Sequence, residues 1–81
     1  MTYNKGDKVF LVMSNAELNT VKELQEFDRQ WHTVALKHDV GYGDRGRWYF
    51  GSIYQLENVK SKAGLPFWFT AEHLHTMSNM L

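Results

Sequence analysis

The 81 residues include no cysteine, which excludes disulfide staples and thiolate metal sites and fits a reducing compartment. There is no charge surplus either, since nine acids balance nine bases. A protein that grips duplex DNA through its phosphates needs a basic excess, and one that imitates DNA needs an acidic excess. Neither holds here, and a net charge of zero gives little protection against self-association, so a homodimer is one expectation. No stretch approaches the roughly 20 apolar residues that span a bilayer. The opening "MTYNKGDK" is polar, without an apolar signal core. The expectation is one small, soluble, intracellular domain with no membrane partner.

Aromatic mass is what the chain does have: five Phe, four Tyr and three Trp. Each buried ring removes roughly 150–250 Å² from water, so in a domain with no staple the aromatics are the expected cohesion.

"KGDKVFLVM" starts with a Gly6-Asp7 turn and continues as a strand over residues 8–13, with Val9 and Leu11 on its core side. "SNAELNTVKELQEF" carries Ser14 and Glu17 at capping-box spacing. Leu18, Val21 and Leu24 follow at intervals of three. The first reading is a short helix over residues 15–26, and the alternative is a long loop containing a "TVKEL" strand.

"WHTVALKHD" alternates as a strand, with His32, Val34, Leu36 and His38 on one side and Trp31, Thr33, Ala35 and Lys37 on the other. "GYGDRG" reads as a turn-rich loop. "RWYFGSIYQLEN" reads as a second aromatic strand, in which Gly51 predicts a bulge or bend and Trp48, Phe50, Tyr54 and Leu56 share a face. The sole proline, Pro66, leads into Phe67, Trp68 and Phe69. A strand over residues 67–70 turns Trp68 outward if its neighbours point inward. A tight turn at "AEHL" and a short last strand from His75 complete the chain. Parallel pairing needs crossover helices that this length cannot supply. The predicted fold is mainly β: a small, antiparallel, highly curved barrel of about five strands.

"KGDKV" at the start, "YQLEN" late in the chain and "FWFTAEHL" near the end resemble small Src-homology-3-like barrels, of the kind found in proteins of bacteriophages and mobile elements. In that pattern the Gly-Asp turn feeds the first strand, and the closing motif supplies a late strand and a one-turn helix before the last strand. The likeness covers about half the chain, and residues 14–30 stand outside it as an insertion. The "ALYDY"-like strand of peptide-binding members is absent, so the resemblance does not imply proline-rich ligands. It implies a small accessory protein in the cytoplasm of a bacterial host that acts by binding a host or defence protein.

Chemistry-bearing constellations are sparse. Residues 41–46 spell G-x-G-x-x-G, but a dinucleotide site needs a following helix, and the residues that follow read as strand. The loop reads as a hairpin with Arg45 and Arg47 beside it. Glu72, His73 and His75 would need His32 and His38 beside them to hold zinc. Packed or edge histidines are the simpler reading. No serine sits in a nucleophile elbow, and Glu23, Glu26 and Asp28 read as a solvated face. No catalytic residue, metal or cofactor is predicted, and the chain is not expected to be an enzyme.

Trp31, Tyr49 and Trp68 read as outward rings, and exposed Trp and Tyr are favoured interface anchors. The predicted partner-binding residues are Trp31, Tyr42, Arg45, Arg47, Tyr49 and Trp68, with the segment from Glu17 to Asp28 as an acidic rim. A host protein is the expected partner. Single-stranded nucleic acid on Tyr42, Arg45, Arg47 and Tyr49 is an alternative, and structural self-assembly is another.

Overall fold

The computed structural model describes residues 2–77; within them, the side chains of Tyr42, Asp44, Trp48, Tyr49 and Phe50 lie outside the description. Asn4 and Asp7 close a turn, Asp7 N–H donating to the Asn4 carbonyl at 3.0 Å, and Gly6 supplies its positive φ of 94°. The chain enters β1 (Lys8–Leu11), with Val9 and Leu11 fully buried as expected.

The helical segment is broken in two: α1 (Asn15–Thr20) and a 3₁₀ helix, Lys22–Glu26, meet at Val21, whose φ of −121° and ψ of 84° are not helical. The reason lies in the spacing. Leu18, Val21, Leu24 and Phe27 recur every three residues and all pack on the core. An α-helix would carry a period of three progressively off the core, whereas a 3₁₀ geometry eclipses residues three apart. Ser14 caps α1 as read, its Oγ accepting the Glu17 N–H at 3.2 Å.

β2 (Trp31–Asp44) and β3 (Arg47–Leu56) form a long hairpin. The "GYGDRG" segment is therefore not a loop. Gly41 to Asp44 continue the strand, and only Arg45 (φ 51°) and Gly46 (φ 78°) make the turn. Two positive φ angles in a two-residue connection are the I′ geometry that matches strand twist.

The predicted irregularity at Gly51 is also misplaced. Gly51 pairs regularly with Val40, and the register instead slips between Val34 and Leu36, leaving Ala35 as the extra residue.

β4 (Phe69–Thr70) is two residues long, shorter than the strand read over residues 67–70. One 3₁₀ turn, Ala71–His73, leads from it to β5 (Leu74–His75). All pairings are antiparallel, in the order β4-β3-β2-β1-β5. β4 and β5 end that order on opposite sides, yet only three residues separate them, so the sheet curls until its edges approach. A ladder pair joining β4 to β5 is not among the described pairings. Tyr3, Val9, Leu11, Val34, Tyr54, Leu56, Val59, Phe69 and Leu74 fill the concave side.

Candidate functional site

The bulge at Ala35 decides which residues reach solvent. Strict alternation from Val34 puts Leu36 and His38 inside. Instead Ala35 and Leu36 together oppose Gln55, so the parity of β2 reverses: Val34 opposes buried Leu56, and Lys37 opposes buried Tyr54. Lys37, read as outward beside Trp31, is half-buried. Leu36 is 46% exposed and His38 lies on the outer face. The reading that grouped His32 and Val34 with Leu36 and His38 is thereby corrected.

Two aromatic stations occupy this outer, convex face. At one, Trp31 (42% exposed) opposes Phe10 across β1–β2, their rings edge-on with centroids 5.4 Å apart. At the other, Trp68 (46% exposed) tilts against His38 at 6.0 Å. Phe69, next in sequence, is fully buried and Phe67 half-buried, so Trp68 is the outward ring of "FWF". Leu36 lies on β2 between the stations.

Arg45 and Arg47 are exposed at the hairpin end, where the register sets Tyr42 opposite Tyr49 and Asp44 opposite Arg47. That end and Trp31 terminate opposite ends of β2. The six predicted residues therefore do not form one patch: Trp31 and Trp68 belong to the sheet's outer face, and the other four gather at the hairpin end.

Three acids of the expected rim also serve the fold, while Glu26 is exposed. Asp28 Oδ1 accepts the Met13 N–H at 2.8 Å, and Glu23 accepts the Lys62 N–H at 2.8 Å. Glu17 faces His73, whose Nε2 lies 3.2 Å from Oε1 and 3.0 Å from Oε2. The Thr70 N–H donates to His73 Nδ1 at 3.3 Å, so in the neutral ring Nε2 carries the proton and donates to Glu17. That hydrogen bond, foremost, holds the Glu17 carboxyl below its ordinary value, with Ser14 assisting.

His32 is likewise spent, its Nε2 donating to the Phe27 carbonyl at 2.8 Å. Among the described residues no group of three or more His, Cys, Asp or Glu could hold a metal ion, and no helix is long and apolar enough to cross a membrane.

Sequence reasoning passed over His38 and Leu36 as outer-face residues, because alanine in a strand gives no sign of a bulge. It also missed the Glu17–His73 tie, which joins segments far apart in the chain. Comparison with protein-family models, with curated proteins and with solved structures finds no match to this chain.

Proposed function

We propose that this domain is a non-enzymatic protein-binding module, a phage-type accessory protein of the bacterial cytoplasm with an SH3-like barrel. It would hold and inhibit a host protein, a defence nuclease in the manner of an anti-CRISPR being one concrete form. One observation carries the binding role: Trp31, Leu36 and Trp68, each more than two-fifths exposed, share the convex face of a sheet whose concave face is already filled. Exposed indoles offer large area at low rotamer cost, which makes them favoured contact anchors. The phage and host elements rest on the resemblance of "KGDKV", "YQLEN" and "FWFTAEHL" alone.

The test is capture from a bacterial lysate by immobilised protein, followed by mass spectrometry. Trp31→Ala and Trp68→Ala should keep the wild-type circular dichroism and lose the captured protein. Undiminished capture by both variants defeats the anchor assignment.

The hairpin end favours a second reading, since Tyr42 opposite Tyr49 beside Arg45 and Arg47 would suit stacked, single-stranded bases. Gel shifts with short oligonucleotides separate the two: this reading requires binding at low salt that weakens as salt rises.

A further inference from the structure

The distal part of the hairpin has open backbone edges. β1 pairs only with Trp31 to Thr33 of β2, and β4 only with Ile53 and Tyr54 of β3. From Leu36 to Asp44, β2 has a ladder partner on one side alone, among the described residues. A two-stranded ribbon is marginal in water, and natural edges are blunted by charged side chains, proline, short length or bulges. Beyond Ala35 this edge has no proline, bulge or short length, and its charges, Lys37 and Asp39, face each other within one strand.

The turn fixes which amides face outward. Asp44 and Arg47 close a two-residue turn, and such a closing pair exchanges both of its hydrogen bonds. Counting back, Asp44, Tyr42, Val40 and His38 bond to β3. Lys37, Asp39, Gly41 and Gly43 therefore direct their N–H and C=O groups away from it.

We propose that this edge pairs with the same edge of a second copy of this chain, antiparallel about a two-fold axis at Val40. An isologous contact must place residue i opposite j and j opposite i. Only outward-facing residues can bond to one another, so registers that mix the two sets are excluded. Centring on Asp39 would oppose two carboxylates, and centring on Gly41 would oppose Lys37 to Arg45. Centring on Val40 overlaps the full run from Leu36 to Asp44. It sets Lys37 opposite Gly43, Asp39 opposite Gly41 and Val40 opposite its own copy, with no like charges facing.

The chemistry of the edge suits a second copy. Lys37 Nζ lies 3.9 Å from Asp39 Oδ1, so each copy brings its two edge charges already compensated. Net charge is zero, so two copies do not repel at long range. Gly41 and Gly43 carry no side chain on a stretch where a second backbone must approach, which is what strand glycines commonly mark. Two marginal ribbons become one four-stranded sheet, β3-β2-β2-β3. The outer-face tryptophans take no part, so this proposal stands or falls apart from the binding role given to them.

Sedimentation velocity across a concentration series tests it, with backbone amide exchange as a second readout. The full chain should pass from 9.5 kDa to twice that mass. On dimerisation the Lys37, Asp39, Gly41 and Gly43 amides should gain protection. Gly41→Pro removes an outward N–H and spares the β2–β3 ladder, so it should weaken dimerisation by about tenfold or more with amide dispersion retained. A monomer at every concentration overturns the proposal. So does unchanged dimerisation of Gly41→Pro, or protection that grows at β4, β5 or the tryptophan face instead. Should Gly41→Pro unfold the ribbon, the wild-type exchange pattern alone decides.

Discussion

His73, in the turn before β5, donates its Nε2 proton to Glu17 of α1, 56 positions earlier in the chain. The same ring accepts the Thr70 N–H through Nδ1, so one imidazole joins α1, the end of β4 and the closing turn.

Because the folded state lowers the Glu17 pKa, the pair contributes stability above the ordinary carboxyl value of 4.5 and loses it as pH falls through the lower folded value. Glu17→Gln should therefore be less stable than wild type at neutral pH, and the gap should close in acid. Urea titrations at a series of pH values measure this. A gap that is constant down to the acid transition contradicts it.

Val34 and Leu36 should respond unequally to truncation. Val34 is fully buried and Leu36 is 46% exposed. Val34→Ala should cost about 2 kcal/mol, and Leu36→Ala about 0.5 kcal/mol or less. Chemical denaturation of both variants tests the reversal of parity at Ala35. A strand without the bulge would penalise both.

Asp28→Ala should cost about 1.5–3 kcal/mol, because it removes a charged acceptor from the Met13 N–H where the chain leaves β1. Its side chain is only 10% exposed, so water replaces that acceptor poorly. Asp28→Asn keeps an oxygen in place and should lose less. The comparison of unfolding midpoints separates a hydrogen-bond role from a charge role.

Arg45→Asn should stabilise the hairpin. Arg45 holds a φ of 51°, a region that asparagine enters at lower cost, and Asn-Gly is the favoured I′ pair. A gain of about 0.5 kcal/mol would raise the melting temperature by about 2–4 °C. A fall would show that the arginine side chain supports the turn in some other way.

Much of the sheet was legible. Val9, Leu11, Tyr54, Leu56 and Phe69 are buried where the strand pattern placed them, and Ser14 caps a helix at the predicted residue. What escaped was set by tertiary context. A glycine in "YFGSIY" looks like a bulge, yet Gly51 pairs regularly while Ala35 bulges. Glycines at 41 and 43 look like a loop, but the hairpin ladder overrides that preference and confines the turn to Arg45 and Gly46. Period-three hydrophobics look like a drifting α-helix until the backbone tightens to follow them. Glu23 and Asp28, read as solvated, accept backbone N–H groups from other segments, and Glu17 meets His73, none of which a local pattern reports.

The Tyr3 hydroxyl donates to the Leu74 carbonyl across 71 positions, and the Tyr3 N–H donates to the Tyr54 hydroxyl. This architecture imposes an order of events on folding, since Tyr3 completes its two hydrogen bonds only once Tyr54 and Leu74 are in place. Until then the Tyr54 ring lacks its edge contact with Tyr3. Folding should therefore be slow for so few residues, as wide separation between contacting residues delays it.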